Sequence, residues 1–326
     1  MKIRYISVFL VLILICASCG CTDSGPDGSS NTSLQVSVTP QTPQVPVISV
    51  ETRNYTLSEL QSFVINASEY AKKAGIEQAA EQFNDPSGDF VDGTMYIYAL
   101  YNNGTYIAEP FDRSLVGTNG LSATDTNGMR FVEACRDVAE SGGGFILYTS
   151  PNPSDNMTSG EKLGYVYPVD DNWWIGSGIY LDDLVNEYGE TPYYLAYEKL
   201  LMAGAASFAG SVPMDEALSE FSSQDSDYFD YDSGMYVIAI DYEGNIIAHP
   251  GYQEIIGENI YDREMKYGVK SIRRASEIAR NGGGFLIYSY EGADGTVQQN
   301  LNYVLPVEKD DYWIISSGIT LTQLQM

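Results

Sequence analysis

The chain has 326 residues, 44% of them aliphatic, aromatic or cysteine, which is enough to build cores for about two domains of ordinary size. Its 17 basic against 44 acidic residues leave a net charge of −27, which excludes a partner held through nucleic-acid phosphates. So acidic a surface reads as a device for solubility and self-repulsion rather than as a specific cation site.

At the N-terminus Lys2 and Arg4 precede an apolar run from Ile6 to Ile15 and then small residues. That run is shorter than the roughly 20 residues needed to span a bilayer, so residues 1–21 read as a secretory signal and the protein as exported. Gly20-Cys21-Thr22-Asp23 resembles the end of a lipoprotein signal, although Ser18 stands where Leu is usual. Cleavage before Cys21 would leave a lipidated first residue and anchor the protein to the outer face of the cytoplasmic membrane at the cell surface. Cys19 is the alternative, and ordinary cleavage with free secretion the simpler one. Cys135 then remains as a single thiol, so no disulfide framework is expected. Residues 22–50, rich in Ser, Thr, Gln, Gly and Pro, lack the apolar density for a core and read as a flexible tether. Sequons at Asn31, Asn54, Asn66, Asn103 and Asn156 fit an exported surface.

Beyond the tether the chain is written twice. MYIYALYNNGTYIAEP at 95–110 returns as MYVIAIDYEGNIIAHP at 235–250, identical at seven of sixteen positions and offset by 140 residues. A period of that size is a domain rather than a solenoid repeat. Two units are therefore expected, 51–181 and 182–326. Thr56 followed by Glu59 forms a capping box ahead of an amphipathic helix to about Gly75, and a second helical piece at 76–83 precedes the break Asn84-Asp85-Pro86. Residues 95–101 read as a central strand, Asn103-Gly104 as a tight turn into a second strand, and 126–141 as a helix with Cys135 on its buried face. Further strands are expected at 144–149, 163–169 and 173–180, paired antiparallel. In the second unit Thr191 caps a helix with Pro192 at its first position, and Val269, Ile272, Ala275 and Ile278 repeat the internal helix. The chain ends at Met326 shortly after the last strand, with no transmembrane helix, kinase or coiled coil following.

Four pieces, each present in order in both halves, carry a family resemblance. They are the Phe83-Asn84-Asp85-Pro86 to Phe90-Val91-Asp92-Gly93 stretch, altered to DSDYFDYD at 225–232; the Ile-Ala-(Glu109 or His249)-Pro hairpin followed by Val116-Gly117 or Ile256-Gly257; the Gly-Gly-Gly-Phe start of a strand reaching Tyr148 or Tyr288; and the closing Trp and Ser-Gly-Ile. The chain resembles a tandem of Cache domains, extracytoplasmic sensor modules related in fold to PAS domains, and is most similar to the single-Cache type. The resemblance implies an α+β fold of two tandem units, each a long N-terminal helix packed on a central antiparallel sheet of about five strands. It also implies a pocket for a small metabolite, an organic acid, amino acid or amine, beside the internal helix.

Catalysis finds little support. His249 is the only histidine, and there is neither a G-x-S-x-G elbow nor a strand-to-helix phosphate loop, while Gly142 to Gly144 follow a helix as cap and reversal. No cofactor or metal is called for: Asp225, Asp227, Asp230 and Asp232 miss the calcium-loop pattern and read as a solvated acidic loop. Among scarce basic residues Arg130, Arg136, Lys270 and Arg273 are candidate carboxylate partners. Strand tyrosines Tyr96, Tyr98, Tyr148 and Tyr165, with Tyr236, Tyr288 and Tyr303, are candidate pocket walls, and His249, at the position of Glu109, a candidate contact. The sequence thus points to a non-enzymatic, lipid-anchored binding protein that works through a membrane receptor or transporter. The alternative is a structural or adhesive surface protein without ligand, and a polar, convergent cavity would discriminate between them.

Overall fold

The computed structural model describes residues 53–325; the signal, the tether, Cys21 and Asn31 lie outside the described residues. The first unit runs α1 (Leu57–Ala74), α2 (Ile76–Phe83), β1 (Val91–Asp92), β2 (Met95–Tyr96), β3 (Tyr98–Tyr101), β4 (Tyr106–Ala108), α3 (Phe131–Glu140), β5 (Gly144–Asn152), β6 (Thr158–Pro168) and β7 (Trp173–Tyr180). The second repeats it as α4 (Tyr193–Ser211), α5 (Met214–Phe221), β8 (Val237–Asp241), β9 (Ile246–Ala248), α6 (Ser271–Arg280), β10 (Gly284–Glu291), β11 (Val297–Val307), β12 (Tyr312–Ser316), β13 (Ile319–Thr320) and α7 (Leu321–Leu324). The first sheet is ordered β4-β3-β7-β6-β5 and the second β9-β8-β12-β11-β10, antiparallel throughout, with β13 on β11.

Thr56 caps α1 in a full capping box with Glu59, and Leu60, Val64, Ala67 and Ala71 bury the face that packs on β6 and β7. Two details depart from the sequence reading. Pro192 takes the N-cap position of α4 and Thr191 makes no cap bond. The internal helix α3 begins at Phe131 rather than near 126, because Asp125 folds residues 125–129 into a loop, accepting the N–H groups of Asn127 and Met129 on one oxygen and of Thr149 on the other. At the far end of α3, Gly142 and Gly143 take left-handed φ of 104° and 93° and reverse the chain into β5. A side chain at Gly143 would stand 2.8 Å from the Val166 carbonyl.

The two faces of each sheet differ. Toward α1 and α4 one apolar core runs continuously through both units, whereas the other faces carry separate clusters beneath α3 and α6. The units also meet through side chains. Gln299 of β11 accepts from the Leu147 N–H at 2.7 Å and donates to the Leu147 carbonyl at 3.0 Å, occupying the open edge of β5. Tyr267, at a left-handed φ of 61°, accepts the Arg130 N–H on its carbonyl at 3.0 Å and donates its hydroxyl to Asp137 at 3.1 Å.

One buried carboxyl is explained by a broken ladder. Where β12 ends at Ser316, the Tyr303 N–H donates to the Ser316 hydroxyl oxygen at 2.9 Å and to Glu198 from α4 at 3.1 Å, and Glu198 also accepts the Ser316 hydroxyl. Burial pushes this carboxyl from its ordinary 4.5 up to about 8, and its second oxygen has no partner. Folded protein therefore keeps a proton that the unfolded chain releases above about pH 4.5, so stability falls from there to about pH 8. Glu198→Gln should remove that loss: denaturant titrations at pH 5 and pH 8 are expected to show the variant gaining about 2–4 kcal/mol on the wild type across the interval.

Candidate functional site

Each sheet supports a cavity on the face covered by the internal helix. Strand alternation decides which side chains reach it. On β6, Lys162, Gly164 and Val166 share the pocket face, while Leu163, Tyr165 and Tyr167 turn to the α1 side. The first cavity, about 110 Å³, is walled by Tyr98, Tyr148, Trp174 and the α3 residues Phe131, Val132 and Cys135. The Tyr98 and Tyr148 hydroxyls stand 3.3 Å apart, and burial pushes both upward, so both stay protonated donors. Burial also pushes the Cys135 thiol up to about 12, which makes it inert.

Lys162 is the pivotal group of this pocket. It is 1% exposed, and its Nζ lies 4.3 Å from the Tyr96 ring centre and 4.8 Å from that of Tyr180. Gly178 makes the space: a side chain there would come within 2.9 Å of Lys162 Cε. Among the described residues Lys162 forms no ion pair. The opposite charge that acts on it in the pocket wall is Glu109, placed by Asn84, whose side chain donates to the Ile107 carbonyl and accepts the Glu109 N–H at 3.1 Å. Burial lowers the Lys162 ammonium to about 8, partly offset by Glu109; burial raises Glu109 to about 7, opposed by Lys162. The pocket thus offers a cation, two phenols and a carboxyl poised to be neutral.

The second cavity, about 610 Å³, is built from the matching strands with different chemistry. His249 takes the place of Glu109. Asn300 faces Tyr288 across the β10–β11 ladder as Lys162 faces Tyr148 across β5–β6. Tyr236, Asn302, Ser316 and Ser317 complete its polar wall, and Arg263 stands exposed at its rim.

Of the residues singled out in the sequence, Tyr96, Tyr98 and Tyr148 come together in the first cavity and Tyr236, His249 and Tyr288 in the second. The others stand elsewhere. Arg130 precedes α3 and pairs with Glu133, and Lys270 and Arg273 share Asp262 on the surface. Tyr165 lies against Phe145 and accepts from Gln61, while Tyr303 lies against Phe285; both are on the long-helix side. Lys162 was not singled out, and Glu109 entered only as the counterpart of His249. The signal for Lys162 is its phase: two residues before Gly164, it shares a face with the glycines and tyrosines of the pocket rather than with the hairpin tip.

The chain belongs to the Cache domain family, whose model matches residues 55–325. Cache domains are extracytoplasmic ligand-binding sensor domains. Among individual proteins it is similar to the sensor histidine kinase MctS of Rhizobium johnstonii, 32% identical over 94 residues that make up 28% of this chain and 20% of the kinase. The chain therefore spans about a fifth of that relative's length. Among solved structures it is similar to a methyl-accepting chemotaxis protein from Vibrio parahaemolyticus, at 24% identity, 39% of this chain, 88% of that one and a TM-score of 0.35. It is also similar to the ligand-binding domain of the Pseudomonas fluorescens chemoreceptor CtaA in complex with L-isoleucine, at 11% identity, 82% and 86% coverage and a TM-score of 0.27. Among the described residues no helix is long and apolar enough to cross a membrane.

Proposed function

We propose that this protein is an exported, lipid-anchored, non-enzymatic sensor whose first unit, near residues 51–181, binds a short aliphatic carboxylate and presents the bound state to a separate membrane receptor or transporter. The observation that carries the ligand class is the buried Lys162 ammonium, held in no ion pair among the described residues, in a small and largely apolar cavity that also carries Glu109. A cation so desolvated is costly unless something answers its charge, and a carboxylate of two or three carbons suits the volume. Of the Tyr98 and Tyr148 hydroxyls, which share one hydrogen bond, the one that accepts keeps its own proton to donate to a remaining lone pair. Membership of the Cache family supports a sensing role. Output would follow as a population shift, with the ligand favouring one arrangement of α3 and the long helix over another.

Calorimetric titration with acetate and propionate tests the binding half. One molecule bound per chain is expected, and no heat with either acid removes the proposal. The pH dependence has a definite sign. A bound carboxylate favours protonated Glu109 and protonated Lys162, whose free-state values are about 7 and about 8, so binding takes up protons and weakens as pH rises. Between pH 6 and pH 9 affinity should fall by roughly 10- to 100-fold. Glu109→Gln should keep the low-pH affinity and flatten the profile through pH 7.

A further inference from the structure

The second cavity is walled by different chemistry from the first. His249 is 5% exposed, and its Nδ1 accepts the N–H groups of Gly251 at 3.1 Å and Tyr252 at 3.0 Å. With both donors on Nδ1, the proton of the neutral ring sits on Nε2. That N–H borders the cavity without a protein acceptor among the described residues. On β11, two residues apart and on one face, Asn300 and Asn302 turn their amide nitrogens to the carbonyls of Ser317 and Ser316 at 3.5 and 2.9 Å. Their Oδ1 atoms are left buried and without partners. Asn302 is 2% exposed, and Gly318, at a φ of 87°, gives it room: a side chain there would meet the Asn302 amide at 2.6 Å.

The wall thus carries an unused N–H donor at His249 and, in two lining asparagines, buried carbonyl acceptors without partners, above an apolar floor of Ile238, Ile240, Ile272 and Leu286. The fixed charges stand at its edge: Glu291 is paired with Lys266 at 2.9 Å, and Arg263 is exposed. An ion entering the neutral interior would lose its water without gaining a counter-charge. We infer that the second cavity takes an uncharged ligand with a carboxamide group and an aliphatic body, its carbonyl accepting from His249 Nε2 and its NH2 donating to Asn300 and Asn302. The two units then report on two kinds of molecule rather than on one.

Hexanamide, its charged counterpart hexanoate, and propionate discriminate the possibilities on the full chain. By ligand-observed NMR and calorimetry, hexanamide should bind, should not be displaced by propionate, and should be unaffected by Lys162→Met. His249→Phe should weaken hexanamide about tenfold and leave propionate unchanged. Asn302→Leu, on another element, should do the same and stands in if the His249 variant does not fold. Absence of hexanamide binding, displacement by propionate, indifference to both substitutions, or equally tight hexanoate binding sensitive to His249→Phe each overturns the inference. Failure of propionate alone, with hexanamide behaving as stated, removes the carboxylate reading of the first pocket and leaves this one standing.

Discussion

Replacing Lys162 by Met should abolish propionate binding and, in the same protein, raise stability. Loss of the partner charge inside a dry pocket is expected to cost at least about 100-fold in affinity, since the carboxylate would be desolvated without compensation. The stability gain follows from the ammonium's own displacement from 10.5 down to about 8. Folded protein holds that proton less well than unfolded chain, so the penalty is fully present below about pH 8 and disappears as pH rises toward 10.5. At pH 7 it amounts to about 3 kcal/mol, and a methionine of similar length should recover about 1–3 kcal/mol of it, a rise of several degrees in Tm. Calorimetry with and without propionate reads both effects. Retained binding would remove Lys162 from the site, and a fall in Tm would show that its charge is already compensated in the free protein.

The second large effect concerns the seam between the units. Gln299→Leu deletes both hydrogen bonds to Leu147 and leaves a buried N–H and a buried carbonyl unpaired at the edge of β5. Stranding two such groups costs about 2–5 kcal/mol, more than the added apolar contact returns. Hydrogen exchange at the Leu147 amide should quicken, and because Tyr148 is the next residue and walls the first pocket, propionate affinity should fall as well. Unchanged protection at Leu147 with stability within about 0.5 kcal/mol of wild type would mean that the sheet edge is covered by other means.

Much of this architecture is legible in the residues, because hydrophobic period, caps and turn glycines act locally. Thr56 with Glu59 places the start of α1, and the repeat at an offset of 140 carries each assignment to its counterpart. What the sequence reading misses is set by neighbours distant in the chain. The start of α3 depends on Asp125 reaching Thr149, and the burial of Glu198 depends on a gap between β12 and β13 that periodicity does not announce. The pockets show the same division. Tyrosines on strands are visible as candidates, but which of them face the cavity depends on register: Tyr148 and Lys162 are opposed across one ladder, while Tyr165 points to the other side. The basic residues chosen by their place on helices lie in surface pairs, and the one cation in the first pocket lies on a strand, where only the register reveals that it faces inward.

The exchange of Glu109 and Lys162 for His249 and Asn300 constrains how these two copies can diverge. A histidine at 109 beside an unchanged Lys162 would remove the carboxyl that opposes the buried ammonium, and an asparagine at 162 beside an unchanged Glu109 would leave that acid without its cation. The two steps are therefore unequal: the change at 109 strips a buried ammonium of its opposing charge, whereas the change at 162 leaves a carboxyl already held near neutrality by burial. If the two pockets differ in ligand as proposed, the two positions should act as one unit: the order in which they change would matter, and the double substitution would not be the sum of the singles.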